Sequence, residues 1–327
     1  MRKPLILIAS PVLADANNGN WQTAWRWSRL LAAHCRTQIV RDWQPGQHPE
    51  AVAMVALHAR RVAGPIAAWA AAHPGRGLAV VLTGTDLYRD IQSDAAAQRS
   101  LALAQQLVVL QEQGPQALPA QYRSKARVIF QSTTVRRTLA KTPRHLRVVM
   151  VGHLREEKSP DTLWAAARLL RAQPDIHIDH IGAALDPALG EAAQATMAQC
   201  PNYRWLGGLT HEATRRHVQR AHVLVHTSRM EGGAHAIMEA VCSGTPVLAS
   251  RIDGNVGMLG PDYGGYFPWG DAAALADLLQ RCRVGMASGA SMLAALQAQC
   301  SLRAPLFEPA AERAALLALL HDLIHAP

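Results

Sequence analysis

Short apolar runs alternate along the chain with longer segments of helical spacing, and this alternation predicts the fold class. One series of runs, LILIAS, TQIV, LAVVLTG, QQLVVLQ and ARVIF, occupies the first part of the sequence. A second series, LRVVMVG, IHIDHIG, YRWLGG, AHVLVHTS, TPVLAS and GGYFP, follows the connector Lys141-Thr142-Pro143-Arg144. Several runs are apolar almost throughout, as strands covered on both faces must be. Helical segments lie between them, the clearest from Trp21 to His34 and a last one from about Ala310 to Ile324. The pattern predicts an α/β protein of two Rossmann-like, doubly wound domains facing each other across a cleft. Residues 1–143 and 144–305 form the two domains, and 306–327 a C-terminal helix able to pack on either.

Composition narrows the picture modestly. At 327 residues the chain exceeds the usual single-core length, and its 49% apolar content fits a globular protein. The net charge is +9, but only four of 33 basic residues are lysines, so the arginines reflect compositional bias or an anionic substrate. With no lysine-rich run and no RNA-binding motif, nucleic acid is not an expected partner. The five cysteines are odd in number and scattered, without a C-x-x-C pair, which argues against a disulfide framework or a zinc site and for a reducing, cytoplasmic setting. The start, MRKPLILIASPVLADA, mimics a secretory leader, yet Pro11 interrupts the run and Leu5 to Ala9 reads better as a buried strand. No apolar segment reaches the ~20 residues that span a bilayer, and no stable membrane association is expected. Trp21, Trp25 and Leu31 form a stripe, with Arg26 and Arg29 elsewhere on the helix, that reads as core packing. His177 and His180 straddle the two faces of a strand, and His217 and His222 read as surface or core residues; no repeated metal-ligand spacing is present.

The stretch SRMEGGAHAIMEAVCSGTPVLAS carries the most chemistry. Glu231 and Gly232-Gly233 follow a strand; a helix from Ala234 then holds Glu239 and stops at Gly244 and Pro246. Free backbone N–H groups and the dipole at a helix start make an anion site. Along a helix rising ~1.5 Å per residue, the two carboxylates fall roughly 10 Å apart with that site between them. This suits a nucleotide sugar: one carboxylate for sugar hydroxyls, the helix start for the diphosphate, the other carboxylate for the ribose. Equally, Glu231 can be an acid complementing the dipole and Glu239 an exposed helix residue. In VGHLREEKSPDTLW, Gly152 ends a strand and Arg155 and Lys158 are placed to neutralise a diphosphate, or to sit in a solvated loop. Gly207-Gly208, with Leu209 beside it, offers backbone groups to a flat base, or forms a plain turn. In the first domain, Asn17-Asn18-Gly19-Asn20 is a phosphate cradle or a capping turn. Thr85 and Asp86 after LAVVLTG point into the cleft, Asp86 as a general base or a helix cap.

On these residues the second domain resembles the nucleotide-sugar domain of GT-B glycosyltransferases whose members carry two glutamates separated by seven residues. VGHLREEKS, the Glu231 to Glu239 stretch and SGTPVLAS match in order. The resemblance implies that Arg155 and Lys158 contact the diphosphate, that Glu231 and the backbone of Gly232, Gly233, Ala234 and His235 contact the sugar, and that Glu239 holds the ribose, with no metal and no cofactor beyond the UDP-sugar. One departure is Gly232-Gly233-Ala234, where the broad family commonly has an aromatic residue and glycine. Across nearly the whole chain, SPVLADANNGNWQTAWRW, LTGTDLYRD, LQEQGP, SRMEGGAHAIMEA and SRIDGNVGMLGPDYGGYFPWGD resemble the selenosugar synthase family of bacterial selenoneine biosynthesis. That resemblance implies selenophosphate as acceptor and a 1-selenosugar as product; by their positions, Asn18, Gly19, Asn20, Thr85 and Asp86 are the residues expected to hold the acceptor. A transferase of the same fold acting on an alcohol or lipid is the alternative.

Overall fold

The computed structural model describes residues 3–13, 19–75, 77–286 and 291–325. It divides into two compact units. The first comprises Met1–Ser132, Glu231–Gly233 and Pro309–Pro327; the second comprises Thr133–Met230 and Ala234–Glu308.

The first unit holds strands β1 (Leu5–Ala9), β2 (Arg36–Val40), β3 (Ala51–Leu57), β4 (Leu78–Leu82), β5 (Gln106–Val109) and β6 (Ala126–Val128). They form one parallel sheet in the order β2-β1-β3-β4-β5-β6. Strand β3 is absent from the runs read as strands above. Its sequence, AVAMVAL, is alanine-rich and as apolar as a buried helix, so periodicity does not separate the two. Alternate residues of β1 serve opposite faces. Leu5, Leu7 and Ala9 join a core with Met54, Val80 and Trp69, whereas Ile6 and Ile8 join Trp27, Leu31, Leu316 and Leu320.

The second unit holds β7 (Leu146–Val151), β8 (Ile176–Ile181), β9 (Tyr203–Trp205), β10 (Val223–His226), β11 (Val247–Ser250) and β12 (Tyr266–Phe267). Their parallel order is β12-β11-β10-β7-β8-β9. Each sheet therefore has one point at which strand order reverses, β1 beside β3 and β7 beside β10. Open α/β sheets bind ligands beyond the carboxyl ends of the strands at such points.

Three expectations change. The division falls at Ser132–Thr133, not in the connector at 141–144. The intervening segment bonds into the second unit: Arg136 N–H donates to the Cys242 carbonyl, Leu139 N–H to that of Gln219, and Gln219 Nε2 to that of Arg137. The first long helix starts at Gly19, so Gly19 and Asn20 are helical residues and not a loop, while Asn17 and Asn18 lie outside the described residues. On that helix Thr23, Ala24, Trp27 and Leu31 face the core, and Trp25 is 46% exposed with the Arg29 guanidinium 4.9 Å from its ring. The core stripe follows the i, i+4, i+8 row through Trp27, which displaces Trp25 to the outside. No helix among the described residues is long and apolar enough to cross a membrane.

Candidate active site

In the second unit the loop after β7 is fixed at several points. It passes through Gly152 into a short turn at Glu156–Lys158, and Ser159 then takes a left-handed conformation (φ 44°) before the helix Pro160–Leu169. The Lys158 carbonyl accepts from Thr227 Oγ1 at 2.7 Å, and Ser159 Oγ accepts from Trp269 Nε1 at 3.0 Å. Arg229 N–H donates to the Glu157 carbonyl at 3.0 Å, and the Arg229 guanidinium pairs with Glu156 at 2.8 Å. These bonds tie the β7 loop to the loops after β10 and β12. Lys158 is half-buried, its stem lying 3.4 Å from where a Gly152 side chain would begin, and Arg155 is exposed. The two cations, together with burial, hold the His153 imidazole below its ordinary pKa, burial being the larger cause.

The neighbouring strands end in glycines for steric reasons. A Cβ on Gly182 would lie 1.9 Å from the Gly152 carbonyl oxygen, so only glycine allows β7 and β8 to end this close together. Gly182 N–H donates to the Gly207 carbonyl at 2.8 Å, and Gly207 has a positive φ of 67°. Gly207, Gly208 and the exposed Leu209 follow β9 at the same carboxyl edge.

Glu239 lies in the short helix His235–Val241, behind the cap residue Ala234, and is nearly buried. Its Oε1 is 2.7 Å from His211 Nε2 and 3.7 Å from Arg215 Nη1. Arg215 is completely buried; it also donates to Thr133 Oγ1, the Thr134 carbonyl and Ser243 Oγ. The hydrogen bond to Glu239, ahead of every other influence, raises the pKa of His211. Glu239 is therefore not the exposed helix residue of one sequence reading. Sequence reasoning passed over His211 and Arg215. Four apart on the helix His211–Arg220, they share a face, but only the fold reveals that this face meets Glu239.

Glu231, Gly232 and Gly233 group with the first unit. A Cβ on Gly232 would meet Thr83 backbone at 2.4 Å, and one on Gly233 would meet Leu110 Cβ at 2.9 Å. Thr83 backbone at Gly232 and the Leu110 side chain at Gly233 thus leave no room for a Cβ at either position.

Asp86 departs most from its expected place. It is fully buried, its Oδ1 accepting from the N–H groups of Thr83 (2.8 Å) and Gly84 (3.0 Å) and its Oδ2 from Ala59 N–H (3.0 Å). The carboxylate ties the end of β4 to the end of β3, and three backbone donors account for its position. Thr85 Oγ1 lies 3.3 Å from His58 Nε2. His58, unremarked in the sequence, is buried at φ 88°, and its Nδ1 accepts from Arg60 and Arg61 N–H. Burial, above all, lowers its pKa, and the two backbone donors at Nδ1 leave the ring proton for Nε2. Of the histidines already weighed, His180 is buried with Nδ1 3.0 Å from the Tyr203 hydroxyl and its pKa pushed down to about 4 by burial, while exposed His177 stacks on His145.

Residues 131–282 match the family described as Glycosyl transferases group 1. Solved structures extend the likeness to the whole chain. Sucrose-phosphate synthase from Thermosynechococcus elongatus is 19% identical at a TM-score of 0.75, covering 100% of both chains. HepE of Anabaena, solved with UDP, is 16% identical at a TM-score of 0.74, covering 99% of this chain and 100% of that one. A TarM variant from S. aureus, solved with fondaparinux, α-GlcNAc-glycerol and UDP, is 12% identical at a TM-score of 0.63; the match covers 82% of this chain and only 55% of TarM. At these identities the likeness is one of fold, and the fold is GT-B.

Proposed function

We propose that the chain is a UDP-sugar-dependent glycosyltransferase whose acceptor is selenophosphate, forming a 1-selenosugar with release of UDP and phosphate. The observation that carries the donor half is the gathering of Arg155, Lys158, Gly207, Gly208, Leu209, Ala234, His235 and Glu239 on one sheet edge around the β7–β10 reversal. HepE has been solved with UDP-glucose and with UDP plus glucose, which supports the same donor class here.

In this reading Arg155 and Lys158 bind the diphosphate and take up the charge that grows on departing UDP. Glu231 and the backbone of Gly232–His235 orient the sugar, Glu239 holds the ribose hydroxyls, and Gly207–Leu209 lie along the base. To reach Glu239 the ribose displaces or shares the His211 bond. On the acceptor side Gly19, Asn20 and Thr85 remain candidates, Asn18 lies outside the described residues, and Asp86 positions the loop. Selenium attacks the anomeric carbon as the bond to UDP breaks, its electron pair leaving on UDP; water then cleaves the phosphorus–selenium bond. A selenium anion needs no base. An alcohol acceptor does, and the Asp86 carboxylate, already engaged by three backbone donors, is a poor candidate for that work.

The test is incubation of the protein with UDP-N-acetylglucosamine or UDP-glucose, with and without selenophosphate, followed by mass spectrometry. A selenium-containing sugar formed with stoichiometric UDP is expected. Equal UDP release with and without selenophosphate, and no selenosugar, would refute the proposal.

A further inference from the structure

A cavity of about 470 Å³ opens in the first unit, lined by Pro11, Val12, Arg41, Asp42 and Arg61. These five residues come from three loops, those following β1, β2 and β3. Strands β1 and β3 are the neighbours at which this sheet reverses its order, so the cavity occupies the position where an open α/β sheet binds ligands. Its volume falls within the roughly 300–1,000 Å³ of small-molecule sites.

Charge identifies the class of ligand. Three other arginines of this unit pair with acids: Arg36 with Glu50, Arg60 with Asp94 at 2.9 Å, and Arg89 with Asp90 at 3.0 Å. Arg41 and Arg61 have no ion-pair partner among the described residues, although Asp42 shares their cavity. Two guanidinium forks at one cavity match the geometry of a phosphate-like oxyanion. Pro11 and Val12 give that cavity an apolar wall on one side. The single carboxylate of Asp42 leaves a net charge of +1 in the lining, repels a polyanion, and can accept a hydrogen bond from a protonated oxygen.

We propose that this cavity binds a compact oxyanion, one phosphate-like group carrying a protonated oxygen, with Arg41 and Arg61 as its cationic contacts. The assignment deepens the glycosyl-transfer reading above and rests on it: the oxyanion is the charged group of the acceptor. It shifts recognition of that group from the start of the helix Gly19–Leu31 to the three strand-end loops.

The experiment uses the full chain and inorganic phosphate as probe. Arginines are modified with phenylglyoxal, with and without phosphate, and the sites are mapped by peptide mass spectrometry. Phosphate is expected to slow modification at Arg41 and Arg61 while leaving exposed Arg99 unaffected. In kinetics, Arg41→Gln and Arg61→Gln are each expected to raise the acceptor KM about tenfold or more, the worth of one charge-assisted contact, with the KM for UDP-sugar changed less than twofold. Both residues are exposed, so the substitutions leave the core intact. Unprotected Arg41 and Arg61, together with an unchanged acceptor KM, would overturn the site. Protection by phosphate without any turnover of selenophosphate would uphold the site and overturn the proposed acceptor.

Discussion

Replacing Glu312 by alanine removes a carboxylate that is completely buried yet carries four kinds of bond. Its Oε1 accepts from Trp27 Nε1 at 2.5 Å; its Oε2 accepts from Ser132 N–H at 2.8 Å and Ser132 Oγ at 2.5 Å; and the Arg26 guanidinium holds both oxygens at 3.0–3.3 Å. The alanine variant orphans two buried N–H donors, at about 1–3 kcal/mol each. Breaking a buried pair from one side costs about 3–5 kcal/mol, and Arg26, with 18% of its side chain exposed, recovers part of this from water. These terms overlap, so the expected loss is about 3–5 kcal/mol, a large share of the 5–15 kcal/mol typical of a folded protein. Two units make a single global midpoint ambiguous, so the assay is native-state hydrogen exchange read peptide by peptide. Protection should fall in β1, in the helix Gly19–Leu31 and around Ser132, and remain in the second unit. Glu312→Gln, which keeps the shape and two acceptor lone pairs, should fall between the two proteins. A loss below about 1 kcal/mol for the alanine variant would show that water enters and satisfies these donors, and the buried-network argument would be wrong.

Four further outcomes are expected. Glu239→Gln should weaken UDP binding about ten- to hundredfold by calorimetry, the worth of a charge-assisted contact of about 1.5–3 kcal/mol; unchanged affinity would remove Glu239 from the site. The pKa of His211 is raised, so the imidazolium that competes for Glu239 persists below that pKa and is lost as pH rises through it. UDP affinity should therefore rise with pH across that window more steeply in the native protein than in His211→Asn, a comparison that cancels the titration of UDP itself. Lys158→Ala should lower kcat by on the order of 10²-fold, and a change confined to the KM for UDP-sugar would contradict its role in stabilising the leaving group. Gly182→Ala sets a methyl against the Gly152 carbonyl and should cost at least the ~1–3 kcal/mol of an overpacked core, seen as a lower Tm.

Eleven of the twelve strands were legible because most are short apolar runs bounded by polar or turn residues. The exception, β3, shows the limit: an alanine-rich run satisfies strand and buried helix alike until its neighbours are known. Within the candidate site, residues adjacent in sequence to a strand end were readable, as Arg155 and Lys158 were after β7. The partners of Glu239 were not, because His211 and Arg215 stand on a different helix, 28 and 24 positions before it in the sequence. Asp86 was misread for a related reason. A carboxylate just past a strand end is equally placed to face outward or to turn back onto the strand-end amides, and only the position of Ala59 N–H, brought by β3, decides between them.

The two sheets reverse strand order at equivalent places, yet the loops there are built differently, and the difference fits the roles proposed for the two sites. At the β7–β10 point the loops are locked by backbone bonds, by the left-handed Ser159 and by a glycine that tolerates no side chain. Such fixed geometry suits developing charge on a leaving group, where donors that need no rearrangement in the transition state give the largest benefit. At the β1–β3 point buried Asp86 holds Ala59 N–H at the end of β3, while Arg41 and Arg61 extend from exposed positions into an open cavity. Long side chains lose rotamer freedom when they close on a ligand, so this site gives up affinity relative to a locked one. A charged acceptor offsets that loss through two guanidinium contacts, whereas a neutral alcohol would leave both cations without a partner.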